Sequence, residues 1–170
     1  MKKLLIFFIF AFIFENSYAE NKVGYIDINH ILNNSTAGKS ISEHIQKIKE
    51  EKIEQFKITE SKLSEKEKGI IKKKNIIDSK EFEKQVKALK EEIDFYRKEQ
   101  KQFNEEIDSK KVKYTKIILK SLNPIISKYV EDNSIMIVFP KKSIIIAKKN
   151  LDITKPVMNL LNNQLKKIDF

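Results

Sequence analysis

The stretch FEKQVKALKEEIDFYRKEQKQFNEEIDSKKVKYTKI, Phe82 to Ile117, decides the fold. Steps of four and three residues pick out Phe82, Val86, Leu89, Ile93, Tyr96, Gln100, Phe103, Ile107, Lys110, Tyr114 and Ile117. Nine of these eleven are apolar or aromatic, while the residues between them are mostly Lys, Glu, Asp and Gln. A seam of average spacing 3.5 on a charged helix needs another helix, because alone it leaves a narrow apolar stripe in water. At about 1.5 Å per residue this segment alone is about 50 Å long, an arm rather than a core helix.

Working outward, a partner helix precedes the seam. Ile41, Ile45, Ile48, Ile53, Phe56, Leu63 and Ile70 recur at helical spacing from about Lys39, in a thinner stripe that drifts around the axis. Asp78-Ser79-Lys80-Glu81 has the form of a capping box that opens the second helix. The connection near 74–78 is short, so the two helices are expected antiparallel, as a hairpin over 39–129 with its tip near 69–79. Pro124 is expected to kink or break the second helix near its base.

Both ends of the hairpin return to one small body, residues 20–38 and 130–170. Lys22–Ile28 reads as a strand, Asn29–Asn34 as a helical turn capped by Asp27 or Asn29, and Ser35–Gly38 as a loop. Ile135–Phe139 and Ser143–Ala147, about Pro140-Lys141-Lys142, read as a β-hairpin. Thr154 then caps a last helix with Val157, Leu160, Leu161, Leu165 and Ile168 on one face. The predicted fold class is α+β, mainly α: a small β-rich body with a long inserted antiparallel helical hairpin. Its strands are apolar at every position, as in sheets covered on both sides, and the body is small for independent stability. Val23, Tyr25, Ile26, Ile135, Ile137, Val138, Phe139, Ile144, Ile145 and Ile146 are therefore the candidate oligomerisation residues.

The first residues carry an address. Met1-Lys2-Lys3 precede eleven apolar residues, Leu4 to Phe14, and Ser17-Tyr18-Ala19 offers small residues where a signal peptidase reads. This predicts a signal peptide over 1–19, cut after Ala19, and a periplasmic protein. Eleven residues fall short of the roughly 20 that a spanning helix needs. There are no cysteines, so neither disulfides nor thiolate chemistry are expected.

No catalytic constellation is present in the sequence, and no enzyme, metal or cofactor is expected. His30 and His44 lack a ligand pattern and read as solvated helix residues. Ala37-Gly38-Lys39-Ser40 resembles the end of a phosphate loop, but Asn33 stands where the first Gly is required. The pairs Glu50-Glu51, Glu91-Glu92 and Glu105-Glu106 point about 100° apart on a helix and read as solvated faces.

Charge is informative instead. The chain carries a net +10, and Lys66 to Lys90 holds nine Lys against Glu67, Asp78, Glu81 and Glu83. The tip thus combines Lys72, Lys73, Lys74 and Lys80 with Ile70, Ile71, Ile76 and Ile77. Those isoleucines either close the hairpin or form a contact surface. With Phe95, Arg97 and Lys98 farther down the arm, these are the candidate client-binding residues. Phe95, Ile58 and Ile118 all lie off the seam, as base packing or as sticky points. Weak apolar contacts in a basic setting suit an unfolded acidic polypeptide. The excess charge also predicts non-specific, salt-sensitive DNA binding in vitro, although export argues against nucleic acid as the biological partner.

Val23-Gly24-Tyr25-Ile26-Asp27, then Ile31 to Lys39, and Leu151-Asp152-Ile153-Thr154 before the last helix resemble the Skp/OmpH family of periplasmic chaperones. The resemblance spans the chain after the signal peptide. It implies a homotrimer with a shared β-rich body and three helical tentacles around a cavity. There the family holds unfolded outer-membrane β-barrel proteins without ATP. It also implies contact with anionic membrane surfaces or lipopolysaccharide, with no residue assigned here. A different reading of the same arm is an envelope adaptor that binds folded partners.

Overall fold

The computed structural model describes residues 22–170; the expected signal peptide and its cleavage site lie outside them. The order is β1 (Lys22–Ile26), α1 (Ile28–Asn34), α2 (Thr36–Lys73), α3 (Ser79–Asp132), β2 (Ile135–Pro140), two single 3₁₀ turns (Lys141–Ser143 and Lys149–Leu151) and α4 (Thr154–Gln164). The mainly helical α+β class holds, with α2 and α3 as the antiparallel hairpin.

Caps explain where the helices begin. Asp27 caps α1, its Oδ1 accepting from the His30 N–H at 2.9 Å. Asp78 caps α3, accepting from Lys80 N at 2.8 Å and Glu81 N at 3.1 Å. The capping box is only half made, because Glu81 instead accepts from the Gln85 side chain. The expected loop at 35–38 is a correction: Ser35 is the N-cap of α2, its Oγ accepting from Gly38 N at 3.1 Å. Gly38 is required by close approach, since a Cβ there would stand 1.9 Å from the Leu32 carbonyl oxygen. The arm therefore begins three residues early.

Pro124 does not break α3, which continues to Asp132, although the proline removes one N–H from the ladder. Ser134, at φ 52°, then turns the chain into β2 in the left-handed region that non-glycine residues rarely enter.

The expected β-hairpin is overturned. β2 pairs in parallel with β1, matching Val23 to Ile137 and Tyr25 to Phe139. The second apolar run forms no strand: after the turn at 141–143, Ile145 and Ile146 lie fully in solvent. Among the described residues they join no strand, and the sheet of the body consists of β1 and β2 beside its helices. The other edge of β1 is used by a bridge from Tyr25 to Asp152, with Ile153 N donating to Tyr25 O at 3.0 Å.

Thr154 is a second correction. It is the first residue of α4 rather than its cap; Asp152 Oδ1 accepts its N–H, and its hydroxyl accepts from Asp27 N at 2.9 Å. This bond ties the two sequence halves of the body together. On α4, Val157 and Leu161 are buried, whereas Leu160 is partly exposed. Leu165 and Ile168 follow the helix rather than lying on it, and Ile168 is buried.

The core sits where the arm meets the body. Ile26, Ile31, Ile41 and Ile45 meet Ile107, Tyr114, Ile118, Leu122 and Ile125 there, with Val157 and Leu161 from α4. The seam drifts as it enters this core. Ile117 is partly exposed, while Ile118 is buried and continues the stripe through Leu122 and Ile125. That shift follows from 3.6 residues per turn not matching a 3.5 repeat. Ile118 is therefore base packing.

Candidate functional site

Beyond the core the arm thins. Between α2 and α3 the distal seam buries only Leu89 and Ile70. Half-way out, Phe56 lies edge-on to Tyr96 and to Phe103, at centroid distances of 5.7 and 5.8 Å. The Tyr96 hydroxyl reaches the Phe56 carbonyl at 3.3 Å, and burial, then Glu60, push its pKa up. Lys66 on α2 pairs with Glu92 on α3, its Nζ 2.7 Å from Oε2. This exposed pair contributes at most about 1 kcal/mol.

At the tip the isoleucines divide. Ile70 is buried and Ile77 half-buried, so these two close the hairpin. Ile71 and Ile76 are 60% and 79% exposed, beside the exposed Lys72, Lys73, Lys74 and Lys80. The turn itself is rigidly bonded, with Lys74 N on Ile71 O and both Ile76 N and Ile77 N on Lys73 O. The end of the arm therefore presents two bare isoleucines close in sequence to four exposed lysines.

Phe95, Arg97 and Lys98 are not part of that surface. Phe95 lies about 24 Å down α3 from Ser79 at helical rise. It is 63% exposed and borders a notch of about 480 Å³ between the helices, lined by Leu63, Ala88 and three glutamates rather than lysines. Arg97 is two residues on, turned about 200° away, and lies 3.9 Å from Asp94. Lys98 is exposed on another side of the helix.

The proposed assembly residues also divide. Ile26 is buried within the chain and Tyr25, Ile135, Val138 and Ile144 are half-buried. Val23, Ile137, Phe139, Ile145 and Ile146 are exposed, as is Met136. β2 has one edge on β1 and, among the described residues, no strand on the other.

The sequence model of the family described as outer membrane protein (OmpH-like) matches residues 22–161. The chain belongs to the OmpH-like family. Among solved structures, this OmpH-like chain is similar to a candidate outer membrane chaperone (OmpH-like) from Caulobacter crescentus. The TM-score is 0.79 at 18% identity, covering 89% of this chain and 90% of that one. At that identity the likeness speaks for the fold. A sequence search of curated proteins finds no match.

Two features of this OmpH-like chain lie outside the expectations drawn from its sequence. Glu91 and Glu99 flank Phe95 at four residues on either side, a spacing visible in the sequence once Phe95 is placed outside the seam. The second is at the arm base, where Phe170 stacks on His44 at 3.8 Å and meets Tyr114 edge-on at 5.2 Å. His44 is thus half-buried in an aromatic group, not freely solvated as the sequence suggests.

Proposed function

We propose that this protein is an ATP-independent periplasmic holdase that binds unfolded outer-membrane β-barrel proteins and keeps them from aggregating. One observation carries the reading: the distal arm leaves Ile58, Ile71, Ile76, Val86 and Phe95 exposed on a helical hairpin too thin to bury them. Isolated apolar side chains among charges give many weak contacts, which suit a chain without fixed structure. Membership of the OmpH-like family and the likeness to a candidate outer membrane chaperone point the same way.

In this reading the signal peptide ending at Ala19 takes the protein to the periplasm, and three copies assemble through their bodies. The open edge of β2 and the exposed Met136, Ile137, Phe139, Ile145 and Ile146 supply the surface for strand addition between copies. The lysine-rich tip draws acidic client segments, and on the same electrostatic ground would approach anionic membrane surfaces or lipopolysaccharide.

The test is dilution of a denatured outer-membrane β-barrel protein into buffer containing this protein, followed by light scattering. Scattering should fall when the protein is stoichiometric with client, without ATP, and an unchanged trace would refute the reading. Replacing Lys72, Lys73 and Lys74 by Gln should weaken capture at low salt while leaving assembly intact. Crosslinking in cells separates a holdase, which captures many precursors, from an adaptor, which holds one or two folded partners.

A further inference from the structure

The charge around Phe95 is anomalous for so basic a chain. Glu91, Phe95 and Glu99 follow one another at four-residue steps and so share one stripe of α3. Their notch is lined by three glutamates and by no lysine or arginine. Glu92 is neutralised by Lys66, whereas Glu91 and Glu99 hold no ion pair among the described residues.

Toward the tip a second notch, of about 350 Å³, adjoins the first, and Ala88 and Glu92 line both. Its far end is formed by Gly69, Ile70 and Lys73. Gly69 faces open space, since a Cβ there would meet nothing within 4 Å. The two notches therefore form one shallow groove along the hairpin, with Phe95 in its acidic half and Ile70 in its basic half. From Glu99 to Gln85 the groove runs about 21 Å at helical rise. At about 3.3 Å per residue, that length matches about six residues of extended chain.

We infer that this groove is a bipolar docking site for an extended apolar segment of an unfolded polypeptide. The segment carries a cationic residue at the Glu91/Glu99 end and an anionic residue at the Lys73 end. This inference rests on the holdase reading and specifies which client segments the arm selects. The apolar floor supplies affinity without sequence, and the two charged ends supply a preference. Tip lysines alone would favour uniformly acidic segments; the groove favours segments of mixed charge.

The test is fluorescence anisotropy of labelled peptides on the whole protein. Each peptide has a six-residue core of alternating Phe and Ser, ended by Lys at both ends, by Asp at both ends, or by one of each. The mixed-end peptide should bind tightest, by about threefold per opposed exposed charge. Its sequence-reversed form should bind equally, because side chains rather than backbone are read. E91K/E99K should make the peptide with two Asp ends the tightest. G69L, whose side chain enters the groove, should weaken all of the peptides alike with helix content unchanged. Equal binding of the three end types, or a preference untouched by E91K/E99K, overturns the groove. Loss of assembly in sedimentation of E91K/E99K also overturns it, since the face would then be a contact between copies. If the wild type still suppresses aggregation in those cases, only the groove falls; if it does not, the holdase reading falls as well.

Discussion

The base of the arm and its distal half are the same two helices, yet they are built differently. At the base, Ile107, Tyr114, Ile118, Leu122 and Ile125 are almost completely buried against α1, α2 and α4. Among the described residues the helices of the distal half have only each other, and two helices alone cover one stripe. Leu89 and Ile70 are buried, while Ile58, Val86 and Phe95 remain partly or largely exposed. The contrast teaches that periodicity predicts a seam but not its depth, which depends on how many elements converge. Stability belongs to the base. The distal half is left with bare apolar side chains, which is the property a client-binding arm needs.

The largest effect should come from the base. L122A removes a side chain with no exposure and should cost about 3 kcal/mol in chemical denaturation. I76S at the tip should stay within about 0.5 kcal/mol, because Ile76 is already in solvent. Equal costs would break the comparison. Next, L89A should cost about 2 kcal/mol locally. Hydrogen exchange should then rise in the distal halves of α2 and α3 while protection around Leu122 is kept. Uniform loss of protection would mean that the arm and base fold as one unit.

A smaller effect sharpens the picture on the body side. The Asp27 carboxylate is held below its usual range chiefly by the His30 N–H, with help from Lys141 at 3.3 Å and against the cost of burial. D27A should cost about 1 kcal/mol at neutral pH. A depressed folded-state pKa contributes stability above the unfolded value, about pH 4, and the contribution is lost as pH falls through the depressed value. The gap between wild type and D27A in denaturant titrations should therefore narrow in acid, and a gap that widens would contradict this assignment.

The hairpin and its insertion in a small body were legible because they rest on local rules. The seam, the Asp27 and Asp78 caps and the short tip turn each lie within a few residues of sequence. The parallel pairing of β1 with β2 was not legible, because their partners lie on either side of the whole arm and no local pattern encodes the match. Ile144, Ile145 and Ile146 have the composition of a strand, but composition does not supply a neighbour. At the tip, apolarity alone did not separate Ile70 and Ile77 from Ile71 and Ile76; the rotation of each helix about its axis decides which face inward. The acidic notch required the same rotation, since it joins Leu63 of α2 to Glu91, Phe95 and Glu99 of α3.

The division of labour along the arm is tested most directly by site-specific photocrosslinking. A photoreactive residue is placed at 71, 76 or 95, and separately at 49 or 111 near the arm base, before a denatured outer-membrane β-barrel protein is added. The account predicts strong crosslinks to client from 71, 76 and 95 and weak ones from the base. Equal or stronger crosslinking from 49 and 111 would contradict it.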